Sequence, residues 1–463
     1  MSQSEGEPRA TRPDPDASLH SRSCEVSDVS YRAFLSAQGT PRVHWASPAG
    51  LELVGAGAAA RLVCDGPDRF DALRDAAATL FDDVDHDGPA ATRPRVLGGL
   101  AFRGDHRADA DEQQRRDGEP RRRDGWAGFP ASSFVLPAVQ LTRGDDATWL
   151  TVNRYGDDVD AADADAALTA ARESLADLPM MRPSGGKPGV ASTTWRTSRA
   201  DWTDQVARVV DRIRAGELRK VVLATALDVD LETPVDIPDA LERLRRTYPD
   251  CYRFLVQPTD AAGFFGAPPE QLVERDGRTV RTEALAGSMP RGETPEADAE
   301  HARSLLDSEK IQHEQRVVAE TICEQLSTYG DVTEGEQGLR KLSNIQHLRT
   351  PIEATLHEDT HVLTLVEALH PTPAVGGLPL EEALATIRAT ETFDRGWYAA
   401  PVGWFDADGD GEFAVGIRSG LAGDTSATLF AGNGIVADSD PADEWDELQP
   451  KVRPILDELE RDD

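Results

Sequence analysis

Lysine is almost missing from this chain. Of 463 residues only Lys187, Lys220, Lys310, Lys341 and Lys451 are lysine, so nearly all of the 49 basic residues are arginine. Against them stand 83 acidic residues, and 49 minus 83 leaves a net charge of −34. Such a field repels polyanions, which excludes nucleic acid and anionic membrane surfaces as expected partners. No apolar run approaches the roughly 20 residues of a membrane-spanning helix, and the first residues lack a basic-then-apolar signal pattern. A cytoplasmic protein is expected. Cysteine is scarce as well: Cys24, Cys64, Cys251 and Cys323 lie far apart without metal-ligand spacing, which points to reduced thiols. An acidic, lysine-poor surface fits a high-salt cytoplasm, where screening tolerates self-repulsion. It also makes each lysine informative, because lysine is not surface filler here.

What is present is enough apolar residue, 39%, for one large core or two ordinary ones. Residues 1–25 are rich in Arg, Asp, Pro and Ser and are expected to be disordered. Residues 26–181 alternate strand-like runs with helical periodicity at 68–81 and 161–175, and a charged stretch at 103–125 reads as a surface insertion. Residues 182–193, with Gly185-Gly-Lys-Pro-Gly189, read as a linker dividing the sequence into two halves, without requiring two domains in space. From 194 to 463 strands interleave with a few long helices, including 309–326. The whole predicts an α+β architecture of large, mainly antiparallel sheets flanked by helices.

Residues 429–451 concentrate the chemistry. An apolar strand, Leu429-Phe-Ala431, runs into Gly432-Asn-Gly434, read as a glycine turn with bare backbone donors. Asp440 and Pro441 then suit the start of a helix, on which Glu444, Glu447 and Lys451 share a face, with Pro450 as a candidate kink. Two carboxylates and an ammonium beside an anion-binding turn suggest a metal-assisted site for a small carboxylic acid. A solvated acidic helix is the plain alternative.

Two other patterns are set aside. His357-Glu-Asp-Thr-His361 satisfies a zinc-protease spacing, but the following Val362-Leu-Thr-Leu-Val366 reads as a strand, and that motif needs a helix. Asp406-Ala-Asp408-Gly-Asp410 resembles the start of a calcium loop, yet Ile417 stands where its last carboxylate belongs, so an acidic hairpin turn is expected. Elsewhere Lys220 opens the strand-like Lys220-Val-Val-Leu-Ala224, Glu270 follows two prolines, Glu314 lies on the 309–326 helix and Arg418 ends a strand. Singly each reads as a surface charge, or as a base, an acid, a metal carboxylate and a carboxylate clamp respectively.

Taken together these segments are specific. Lys220-Val-Val-Leu-Ala, Pro269-Glu270-Gln-Leu, Glu283-Ala-Leu-Ala-Gly-Ser288, Ile345-Gln-His-Leu, Leu369-His-Pro-Thr-Pro373, Arg395-Gly-Trp-Tyr398, Ile417-Arg418-Ser and Ala431-Gly-Asn-Gly-Ile435 occur in the order seen in chorismate-utilising enzymes. The chain resembles the isochorismate synthases of that family, strongly over residues 195–455 and more weakly before them. Ammonia-using members carry glutamine at the position of Lys220, and aminodeoxychorismate synthases a lysine near Ala286, so the resemblance implies water as nucleophile. It further implies Lys220 as base and Glu270 as acid. Ser288, His347, Tyr398, Arg418, Gly432, Gly434 and Lys451 would contact chorismate, with Mg²⁺ held by Glu314, Glu444 and Glu447, and the product would feed menaquinone synthesis. Ser288 and Ala400 depart from the usual threonine and glycine. Salicylate synthase, and from another class a non-catalytic chorismate-binding subunit, are the alternatives.

Overall fold

The strand-forming runs pair across great distances in sequence, and the computed structural model describes them at residues 13–27, 29–108, 125–144, 147–178, 185–343 and 345–461, with backbone alone at Ser288 and Lys310. Expectations for residues 1–12, 109–124 and 182–184 lie outside these. Two sheets result, of 13 and 10 strands. Their pairing is antiparallel apart from Ser18–Val26 against Val84–Asp87. Both sheets mix strands from either side of the 182–193 stretch. In the larger sheet Arg42–Ala46 pairs with Arg253–Thr259, and in the smaller one Arg95–Leu100 pairs with Pro401–Asp406. The two sequence halves therefore share their sheets.

Trp45, Trp202 and Trp397 are among the largest fully buried side chains of the core. The helix Arg199–Arg214 shows how such burial is earned locally. Ser198 caps it by accepting from the Asp201 N–H, and Trp202, Val206, Val209, Val210 and Ile213 form its buried stripe. Each such side chain contributes about 1.5–3 kcal/mol on burial. The helix Glu309–Ser327 packs across the strands Thr279–Pro290 and Ile345–Leu356. Leu448–Leu459 packs on Ser426–Ile435. Among the described residues no helix is long and apolar enough to cross a membrane.

Four local expectations are corrected. Residues 18–25 are not disordered: the strand Ser18–Val26 pairs on both edges, and its buried Arg22 is neutralised by Asp85 and Asp165. Residues 190–193 of the presumed linker belong to the strand Val190–Trp195. Val362–Leu369 is a helix, not a strand, and His361 caps it through its ring. A short run that is apolar all round fits either structure, and here five of its residues are buried. Finally Gly432 and Gly434 form no turn, because Ser426–Ile435 continues as a strand through both.

Candidate active site

The chain passes from one sheet to the other at two points that matter. Glu270 lies between Ala262–Gly266 of the larger sheet and Gln271–Asp276 of the smaller, and Arg418 lies between Gly411–Val415 and Ser419–Gly423 on the return. A cavity of about 400 Å³ opens at this seam. It is lined by Lys220, Glu270, Glu314, His347, Tyr398, Arg418, Gly432, Gly434, Glu444, Glu447 and Lys451. Of Ser288 only the backbone is described, paired opposite His347.

Strand register explains the floor of the cavity. Lys220–Leu231 runs antiparallel to Ser426–Ile435 with Val222 opposite Gly434 and Ala224 opposite Gly432. Alternation along the second strand buries Ala431, Asn433 and Ile435 and turns Gly432 and Gly434 to the cavity. The glycines are needed for space. A Cβ on Gly434 would sit 2.8 Å from Lys220 Cε, and one on Gly432 3.3 Å from the Tyr398 hydroxyl. The strand Ser419–Gly423 stops pairing at Leu429, so that edge is open beyond it, and Lys451 donates there to the Gly432 carbonyl at 2.9 Å.

The helical end of the segment follows its sequence signals more closely. Asp440 accepts from the Ala442 and Asp443 N–H groups, with Pro441 in the first turn. The helix pauses at Glu447 between Pro441–Asp446 and Leu448–Leu459. Pro450 falls in the first turn of the second piece, and because it has no N–H to donate to the Asp446 carbonyl it fits the break at Glu447. Lys451 reaches back to the strand and also donates to the Asn433 side chain, whose amide donates to the Glu444 carbonyl.

Burial sets the charges. Glu270 is 8% exposed, and desolvation, helped by the nearby Glu283 carboxylate, pushes its carboxyl up to about 7. Glu283 is itself bracketed by Arg340 and Arg349. Lys220 Nζ donates to Glu314 Oε1 at 2.5 Å. Burial and the Arg418 charge bring His347 down to about 4, so its neutral ring donates from Nδ1 to the Gly287 carbonyl at 3.1 Å. Burial, again with Arg418, lowers Lys451 to about 8. Among the described residues, neither the Arg418 guanidinium nor the Tyr398 hydroxyl has a hydrogen-bond partner. Arg418 also carries a left-handed backbone, φ 50°. A non-glycine residue there stores about 1–3 kcal/mol, and a partly buried guanidinium without an ion pair adds to the cost.

Glu314, Glu444 and Glu447 supply oxygen donors of the kind Mg²⁺ takes. Glu444 accepts from Ser439 at 2.6 Å, and burial together with the Glu447 charge raises its carboxyl above the ordinary value. A cation would relieve that repulsion. The three carboxylates do not form one tight cluster, but a magnesium ion keeps several waters and needs only one or two of them directly. The group that does cluster, Asp406, Asp408 and Asp410, lies in the hairpin turn between Pro401–Asp406 and Gly411–Val415. Arg93 and Arg275 neutralise it. The zinc pattern fails too, since His357 lies outside the helix that His361 caps. A larger recess of about 580 Å³ is walled by Trp195, Phe393 and Leu421, and its Arg196 is already paired with Asp228.

Asn433 and the pair Glu391 and Arg395 were not anticipated as site residues. Asn433 gives no signal beyond its place between two glycines, whereas the four-residue spacing of Glu391 and Arg395 is a visible ion-pair pattern.

An acid, an amine, a guanidinium and several carboxylates around one seam suit an enzyme for a small anionic substrate. Residues 9–460 match the model of the family described as chorismate binding enzyme, and the chain belongs to that family. Within it, the chain is similar to named isochorismate synthases. It is 35% identical to the isochorismate synthase MenF of Bacillus subtilis (strain 168), over 80% of this chain and 75% of that protein. It is 36% identical to the salicylate biosynthesis isochorismate synthase of Pseudomonas aeruginosa, over 91% and 85%. The solved structure of MenF, the menaquinone-specific isochorismate synthase from Escherichia coli, superposes with a TM-score of 0.79 at 25% identity, covering 96% of each chain. Anthranilate synthase component I from Streptococcus pneumoniae shares the fold, with a TM-score of 0.71 at 19% identity over 89% of this chain and 93% of that one.

Proposed function

We propose that this chain is an isochorismate synthase: it adds water at ring carbon C2 of chorismate and expels the C4 hydroxyl, with Mg²⁺ as cofactor, in menaquinone biosynthesis. The observation that carries this reading is one cavity holding both an amine, Lys220, and a carboxyl, Glu270, that stays largely protonated up to about pH 7. Lys220 takes a proton from the attacking water. Its Nζ donates to Glu314 Oε1 at 2.5 Å, which holds the amine at the cavity wall. Glu270 gives its proton to the departing hydroxyl as the ring double bonds shift. One water enters and one leaves, so the change is an isomerisation.

Arg418, Tyr398 and the Gly434 N–H hold the enolpyruvyl carboxylate, with Lys451 adding positive charge. Neutral His347 and Ser288 border the ring carboxylate. Glu314, Glu444 and Glu447 would hold Mg²⁺, which when bound offsets the charge of that carboxylate. Incubation with chorismate and Mg²⁺ followed by chromatography tests the proposal. Isochorismate as main product is expected; salicylate with pyruvate, or no turnover at all, refutes it.

A further inference from the structure

Among the described residues the strand that begins at Lys220 has no strand neighbour along part of one edge. Gly377–Leu378 pairs with it only at Lys220 and Val221, and Val190–Trp195 only from Leu227 onward. Between them the Val222 carbonyl and the Ala224 N–H face outward without a strand. Both are satisfied by side chains: Arg395 Nη2 donates to Val222 O at 2.7 Å, and Ala224 N–H donates to Glu391 Oε1 at 2.8 Å. The same two side chains form a bidentate ion pair, at 2.5 and 2.9 Å, with both 3–4% exposed. Arg395 Nη1 also donates to the Val375 carbonyl at 3.0 Å, and its guanidinium lies 4.4 Å from the centre of the Phe102 ring.

We infer that the Glu391–Arg395 pair is a positioning device: it replaces the missing strand beside Val222 and Ala224 and so fixes Lys220 and Tyr398 relative to each other. The link to Lys220 is two residues of strand. The link to Tyr398 is the turn in which its N–H donates to the Arg395 carbonyl at 2.9 Å. A buried ion pair is a poor way to gain stability, because desolvation offsets its attraction. It does offer fixed geometry, since the planar fork and the carboxylate leave little rotational freedom. The inference rests on the reading of the cavity as an active site that uses Lys220 and Tyr398.

The test uses the full chain with Glu391→Ala and Glu391→Gln. Hydrogen–deuterium exchange over residues 220–226 and steady-state kinetics with chorismate and Mg²⁺ are measured well below each melting temperature. For Glu391→Ala, exchange is expected to accelerate at least tenfold and kcat per folded molecule to fall at least tenfold. Glu391→Gln keeps one acceptor for Ala224 but loses the charge, and a change of at least threefold in the same direction is expected in both readouts. A purely structural pair would lower the melting temperature of both variants and leave kcat per folded molecule unchanged, and that result overturns the inference. If Glu391→Ala does not fold, Glu391→Gln decides alone. Wild-type protein without turnover would sink the functional reading, while the exchange data would still judge whether the pair holds the strand.

Discussion

Replacing Glu270 by glutamine should stabilise the protein at alkaline pH while stopping its chemistry. The Glu270 carboxyl titrates at about 7 instead of its ordinary 4.5, chiefly because burial penalises the charged form. The sign follows directly. Below pH 4.5 the group is protonated in both folded and unfolded chains and costs nothing. Between 4.5 and 7 the unfolded chain ionises and the folded chain does not, so folding loses ground as pH rises. At about 1.4 kcal/mol per pH unit, the loss reaches about 3 kcal/mol above pH 7. Glutamine has nearly the same shape and no charge, so Glu270→Gln escapes this term. Urea denaturation of both proteins from pH 4.5 to 8 should show the variant gaining on the wild type by about 2–3 kcal/mol across the range. Turnover of the variant should fall about 10²–10⁴-fold, the usual worth of a positioned general acid. In the wild type kcat/KM should decline as pH passes about 7 and the acid ionises. A stability gap that does not change with pH would refute the argument, because it would mean that Glu270 titrates alike in both states.

Gly434→Ala should lower kcat about tenfold or more with little change in melting temperature, because the new Cβ meets the movable end of Lys220 at 2.8 Å and a small misplacement of a reacting group is costly. A large stability loss with kcat intact would count against this. Arg418→Lys should raise KM for chorismate about 10–100-fold, since a point charge cannot copy a bidentate fork worth about 1.5–3 kcal/mol; steady-state kinetics with unchanged KM would remove Arg418 from substrate binding. Raising salt from about 0.1 M to 1 M shortens the screening length from about 10 to 3 Å. At saturating Mg²⁺ kcat/KM should therefore rise, because screening weakens repulsion between a net charge of −34 and an anionic substrate. A fall with salt would mean that local attraction dominates the encounter.

The mixed architecture was legible because runs such as 220–224 and 429–431 carry their own strand signal, and the strands that hold them pair with each other. What misled was composition read without partners. Ser18–Val26 looks polar, but its Ser21 and Arg22 are buried because neighbouring strands and acids satisfy them. Gly432 and Gly434 look like a turn, yet the ladder to Lys220–Leu231 keeps them extended, and their missing side chains serve clearance. Lys220 and Glu314 touch across 94 positions. No spacing rule reaches that far, so only the order of whole segments, read as a family resemblance, could suggest that they share a site. The spacing of Glu391 and Arg395 is visible in the sequence, but their targets are backbone atoms near residue 223, which no side-chain pattern marks.

The distribution of charge ties these points together. A chain with 83 acidic residues neutralises several buried cations directly, as it does Arg22, Arg275 and Arg395, although among the described residues Arg69, Arg95 and Arg253 are buried without an ion pair. In the cavity it leaves Arg418 unpaired on a strained backbone and places two of its five lysines nearby. The carboxylates that line the same space leave the Arg418 guanidinium without an ion pair. Glu270 stays mostly uncharged up to about pH 7, and Glu314 is occupied by Lys220. Glu444 and Glu447 stand on the helical side, where Lys451 Nζ lies 4.0 Å from Glu447 Oε2, yet burial and the Glu447 charge still hold the Glu444 carboxyl above its ordinary value. The cavity thus holds a guanidinium without a hydrogen-bond partner and, on its helical side, a pair of carboxylates that one lysine does not fully offset. A small dicarboxylate bound together with one divalent metal ion would satisfy both at once, and neither alone would.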